Sequence, residues 1–307
     1  MLSNSLRAGR TPPTSARGPD ERLRKPAVIG RRARVGLYAA LGLGLTFASM
    51  LPAAAATAGR QALTTSFLKV CADPANLPFS NQALEGLENR VVDIVAEALQ
   101  REVRYTWYPQ ATGFVRNTLR LRACDLVSGI TTSSEKVQNT NPYYHSAYAL
   151  VTRADELPQA ERIADLVDTE GAIGVVAGTP PADVLASLGL LDRVRPYQLV
   201  TDTRVERPAI RALEDVADGQ ALASLVWGPI AGWYASSNPD ARLRVVPLLQ
   251  EPTRMNFRVS MAVRYNETDW KRTVNRVLKE HAEQIEAVLQ DFGIPLLDDR
   301  GRLIPPP

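Results

Sequence analysis

Asp73, Asn76 and Phe79 stand together in one polar, proline-containing stretch, ADPANLPFS, and their chemistry is that of recognition rather than of reaction. A carboxylate receives a donor, an amide bridges polar groups, and an aromatic ring stacks on an apolar body. Comparable small groups recur at Gly129 to Thr132, where Thr131 and Thr132 supply hydroxyls, and at Gly178-Thr179. Each follows a short apolar run, the place where an open α/β sheet builds a ligand crevice at the carboxyl ends of its strands. Singly, each is more often an ordinary turn; jointly they favour a small-molecule cleft. No strong enzyme motif accompanies them. Gly42-Leu-Gly44 lies in an apolar run unrelated to dinucleotides, and there is no Walker loop or zinc spacing. The histidines are His145, expected to pack at a hinge with a Ser-His-Asp set as the alternative, and His281, expected on a helix surface. The expectation is a non-enzymatic protein with no cofactor or metal of its own.

These loops need elements to carry them. An apolar strand is predicted over 67–72, followed by a helix over about 86–101. That helix puts Leu87, Val91, Val95, Ala98 and Leu99 on a core face and Glu88, Glu97, Gln100 and Arg101 on a polar one. A strand over 103–108, a helix over 114–122 and a strand over 125–130 complete a β-α-β-α-β alternation, which predicts a mostly parallel sheet. The extended run 142–153 then leads to a second α/β unit, and the extended run 257–265 leads back to one long helix over 268–292. The fold class is α/β with two lobes, 64–150 plus 251–307 and 151–250, joined by a two-strand hinge with a cleft between them.

The chain of 307 residues has a formal net charge of +3, which does not point to nucleic acid. Residues 1–58 hold nine Lys and Arg against two acids, and without them 27 basic and 31 acidic residues remain, a net of −4. Arg31, Arg32 and Arg34, the uncharged run 35–51 and the small residues of 54–58 read as a disordered extension and an export signal cleaved near Ala56 to Ala58. A periplasmic protein without stable membrane insertion follows, an uncleaved anchor being the alternative. Export with two cysteines, Cys71 and Cys124, invites a disulfide. Both, however, fall on predicted parallel strands; if those start flush, an offset of four residues is roughly 13 Å, too far to bridge. Two buried thiols are therefore expected, with the disulfide as the alternative.

The succession LKVCADPANLPFS, EGLENRVVDIVAEAL, ACDLVSGITTSSEK, NPYYHSAYALVTR and GVVAGTPP resembles the family 3 extracytoplasmic solute-binding proteins, of type II periplasmic binding fold, over nearly all of residues 66–293. More narrowly, CADPANLPFSN, YTWYPQATGFVRNTL and LVWGPIAGWYA are similar to the MoxJ/XoxJ branch, associated with periplasmic quinoprotein methanol dehydrogenases. Two departures qualify what the resemblance implies. Amino-acid binders of this family hold the ligand carboxylate with an Arg where Lys136 stands, and lysine lacks the two-pronged contact. They hold the ammonium with an Asp where Trp227 stands. The remaining cleft of Phe79, Phe114, Tyr143, Tyr144 and Trp227, with Arg116 and Lys136, would suit a carboxylate-bearing or aromatic molecule, or a protein segment. Arg116 turned outward into solvent is the alternative at that position. The resemblance implies an accessory protein docking on, or maturing, a methanol or alcohol dehydrogenase that contains pyrroloquinoline quinone. An ABC importer component meeting its permease is the alternative, and a dehydratase-like enzyme using Asp73 or His145 is the second.

Overall fold

A computed structural model describes residues 65–305 apart from 133, 135 and 136; the export segment and Lys136 lie outside the described residues. The chain runs through β1 (Phe67–Ala72), β2 (Ala75–Asn76), β3 (Ser80–Asn81), α1 (Leu87–Ala98), β4 (Glu102–Trp107), the single turn α2 (Phe114–Asn117) and β5 (Leu126–Thr131). Next come β6 (Gln138–Arg153), β7 (Ile173–Val176), α3 (Pro180–Ser187), β8 (Val194–Tyr197), α4 (Pro208–Ala217), β9 (Ala223–Trp227), α5 (Gly228–Ser237) and β10 (Leu243–Pro247). It closes with β11 (Asn256–Val263), α6 (Thr268–Glu280) and α7 (Ala282–Asp291). No helix among the described residues is long and apolar enough to cross a membrane.

The sheet order is β4-β1-β5-β11-β6-β9-β7-β8, with β10 paired to β6. β1 is parallel to β4 and β5, and β7 to β8 and β9. β11 and β6 are antiparallel to their neighbours, so the sheet is mixed rather than mostly parallel. β6 joins the two lobes. Up to Ala147 it pairs with β11, and from Tyr148, opposite Trp227, it pairs with β9. On one side of this seam, Leu87, Val91 and Val95 of α1 pack with Trp270 and Val274 of α6; on the other, Leu150, Ile173, Leu185 and Leu225 form a second core. At about 2 kcal/mol per fully buried aliphatic side chain, either core outweighs the polar contacts between lobes.

Behind the seam, α5 lies against the segment that leaves α7. Glycines one turn apart permit this: a Cβ at Gly228 would stand 2.3 Å from the Ala147 carbonyl oxygen, and one at Gly232 would stand 2.1 Å from that of Gly293. Ser146 Oγ donates to the Pro295 carbonyl at 2.7 Å, and the Leu297 N–H donates to the His145 carbonyl at 2.9 Å. The returning C-terminal chain therefore braces the hinge from the rear.

Three expectations need correction. The long terminal helix breaks at His281 into α6 and α7. Ile285 and Leu289 stay on the buried stripe across the break, so periodicity does not reveal it. The helix expected over 114–122 ends after one turn, where the Thr118 hydroxyl bonds the Phe114 carbonyl at 2.6 Å and the backbone leaves helical angles. Cys71 and Cys124 form a disulfide, Cα to Cα 5.6 Å, instead of two free thiols. The offset estimate failed because Cys124 precedes β5, in a turn that folds back over β1. The Thr106 hydroxyl, on the residue opposite Cys71, donates to the Ala123 carbonyl at 3.0 Å. Arg264 fastens the same turn, donating to the Cys124 carbonyl and, at 2.7 Å, to Asp125 Oδ1.

The bridge closes a loop across a sequence separation of 53. Replacing both cysteines with alanine should lower unfolding free energy by about 4 kcal/mol, read from urea midpoints. A loss under about 1 kcal/mol would contradict a structural role.

Candidate functional site

A cleft of about 580 Å³ opens beside the carboxyl ends of β1 and β5. Its walls include Phe79, Phe114, Tyr144 and Trp227, with Thr131 at the end of β5. Trp227 ends β9 and starts α5, which places it on the seam. Its ring meets Tyr148 edge-on at 5.2 Å and Phe257 at 6.2 Å, one aromatic from each hinge strand. Burial pushes the Tyr144 hydroxyl well above its ordinary range, with Glu88 adding to the rise and a hydrogen bond with Trp227 opposing it.

Glu88, in the first turn of α1, lies in the depth of the cleft. It is 3% exposed, against the expectation of a polar helix face. The space it occupies exists because residue 129 is glycine: a Cβ there would stand 1.8 Å from Glu88 Oε1. Oε2 accepts the Ser128 hydroxyl at 2.5 Å. Oε1 accepts no hydrogen bond from the described residues. Burial pushes this carboxyl up to about 7; the Ser128 bond opposes the rise and the Asp73 charge adds to it. At the rim, Arg116 and Arg120 are exposed and have no acidic partner among the described residues.

Five residues expected at the site, Phe79, Phe114, Arg116, Thr131 and Trp227, come together on this cleft. Asn76 and Thr179 line a smaller cavity of about 200 Å³ that also reaches Trp227. Thr179 Oγ1 bonds its own turn, at 2.6 Å from the Val176 carbonyl. Tyr143 packs behind Tyr144, ring to ring at 5.1 Å, with its hydroxyl 3.3 Å from the Ser128 carbonyl. The Thr132 N–H donates to the Arg258 carbonyl at 3.0 Å. Lys136 lies outside the described residues.

Asp73 is fully buried and its carboxylate is engaged by protein. Oδ1 accepts the Ala75 N–H at 2.9 Å and the Thr203 hydroxyl at 2.6 Å; Oδ2 accepts the Gln110 N–H at 2.6 Å. Thr203 follows β8 in the other lobe, so this is a front latch across the cleft. The Gln110 amide in turn donates to the Gly129 carbonyl at 3.0 Å, holding the wall beside Glu88. His145 packs at the hinge, its ring nitrogens 3.1 Å from the Asp298 carbonyl and from Asn256 Oδ1. No group of three or more His, Cys, Asp or Glu among the described residues is placed to hold a metal.

A carboxyl raised from 4.5 to about 7 binds its proton more tightly in the folded than in the unfolded state, so its contribution to stability falls as pH climbs through that window. Asp73, Tyr105, Ser128, Tyr143 and Tyr144 are titratable or polar groups that interact with it. Relative to wild type, Glu88→Gln should gain about 3 kcal/mol between acid and mildly alkaline buffer in urea titrations. A difference independent of pH would contradict the assignment.

No family model matches the chain. It is 41% identical to the periplasmic binding protein XoxJ from Methylobacterium extorquens AM1, whose crystal structure superposes with a TM-score of 0.65 over 76% of this chain and 100% of that one. The structure of MxaJ from Methlophaga aminisulfidivorans MPT matches at 27% identity and TM-score 0.65, covering 75% of this chain and 100% of the other. Protein MoxJ of Methylorubrum extorquens is 29% identical over 295 residues, 88% of this chain and 98% of the relative. An ancestral cationic amino-acid-binding protein and the L-cystine receptor of Neisseria gonorrhoeae, 19% and 16% identical, share the fold alone. The chain belongs to the MoxJ/XoxJ family of periplasmic binding proteins.

Proposed function

We propose that this is an exported, periplasmic, non-enzymatic binding protein that serves a quinone-dependent methanol or alcohol dehydrogenase as an accessory, by docking on it or assisting its maturation. The quinone belongs to that partner. The observation that carries the reading is the residue where an amino-acid carrier of this family would hold the ligand ammonium. Trp227 stands there in place of a carboxylate, and Asp73, the acid of the strand-one loop, is already bonded to Ala75, Gln110 and Thr203. A cation pairing with Asp73 would have to break the latch. The family membership supports the same reading, since the MoxJ/XoxJ resemblance links the branch to methanol dehydrogenases.

In this reading the lobes comprise 64–150 with 251–307, and 151–250, and the seam at Ala147 and Tyr148 is where they move. Phe79, Phe114, Arg116, Thr131 and Trp227, with Glu88, contact whatever occupies the cleft. The runner-up is an importer component delivering a small carboxylate or aromatic solute to a permease, which the fold supports equally.

Tagged mature protein incubated with periplasmic extract of alcohol-grown cells should retain the dehydrogenase, and thermal melts with free amino acids should show no shift. Strong stabilisation by an amino acid, with no dehydrogenase retained, would contradict the reading.

A further inference from the structure

The geometry points to a small-molecule site in the cleft for an aromatic carboxylate that carries a hydroxyl at the end opposite its acid. Three features that line one cavity carry this, and none depends on the dehydrogenase.

At the deep end is Glu88, 3% exposed, with Oε2 held by Ser128 and Oε1 without a hydrogen bond from the described residues. Glu88 lines the cavity, and Gly129 leaves the room for its Oε1, which a Cβ at that position would meet at 1.8 Å. A ligand group entering the cavity can bond that oxygen. With its pKa lifted to about 7, Glu88 is part acid and part carboxylate near neutrality. A hydroxyl, donor and acceptor at once, satisfies both forms, whereas an ammonium satisfies only one.

Between the ends, the Phe79, Phe114, Tyr144 and Trp227 rings offer flat apolar faces, which favour an aromatic body. At the rim, Arg116 and Arg120 lack an acidic partner and are suited to a carboxylate. Their joint charge also disfavours a cationic ligand. The volume of about 580 Å³ is ample for one substituted ring.

The test uses the mature chain and isothermal calorimetry with three probes: 4-hydroxyphenylacetate, phenylacetate, which lacks the hydroxyl, and tyramine, which replaces the acid with an ammonium. The hydroxy acid should bind at least about tenfold more tightly than either other probe. Glu88→Leu should abolish the preference for hydroxyl while leaving phenylacetate affinity intact. Arg116→Gln with Arg120→Gln should weaken both acids alike, and this exposed pair keeps the test open if the buried variant does not fold. Tighter binding of tyramine, a hydroxyl preference that survives Glu88→Leu, or no binding of the hydroxy acid would overturn the proposal. Retention of the dehydrogenase is read separately, so either idea can fail without the other.

Discussion

The carboxylate of Asp73 is the contact on which the cleft depends. It leaves the end of β1 into a fully buried position, where an unpaired charge would be strongly destabilising. Three donors remove that cost, and each fixes a different part of the site. The Ala75 N–H shapes the loop that presents Phe79, the Gln110 N–H anchors the wall opposite α1, and the Thr203 hydroxyl ties in the other lobe from a residue 130 positions away. Asp73 is thereby committed to holding the two lobes and is not offered to a ligand.

The latch works because the rear of the hinge is also held. α5 approaches the 293–297 segment through Gly228 and Gly232, and Trp227 stands at the start of that helix. Trp227, Tyr148 and Phe257 then fill the seam where β6 passes from one lobe to the other. Front latch, seam aromatics and rear brace surround a cleft whose lining includes the buried carboxyl of Glu88.

Much of this was legible in the sequence and some of it was not. The first strand, 67–72, is the same in both, because FLKVCA is short, largely apolar and bounded by the polar Ser66 and Asp73. The long connections predicted at 142–153 and 257–265 are the hinge strands β6 and β11, and their aromatic content marked the seam. Trp227 and the aromatic walls followed from the resemblance to a binding-protein family. Glu88 was missed because helical periodicity assigns a first-turn acid to solvent, and only the distant Gly129 reveals the space for it. The cysteine bridge stood only as the alternative, because strand register says nothing about a turn that doubles back before the strand begins. Asp73 was identified as important, yet its three donors are backbone and hydroxyl groups spread over the chain, which no local pattern brings together.

The Thr203 hydroxyl bonded to Asp73 ties one lobe to the other. Small-angle X-ray scattering of the ligand-free mature chain, alone and with free amino acids, tests it most directly, with Thr203→Val as the unlatched control. The account predicts a compact wild type whose radius of gyration does not change on adding amino acids, and a larger radius for Thr203→Val. An expanded wild type that contracts when an amino acid is added would contradict it.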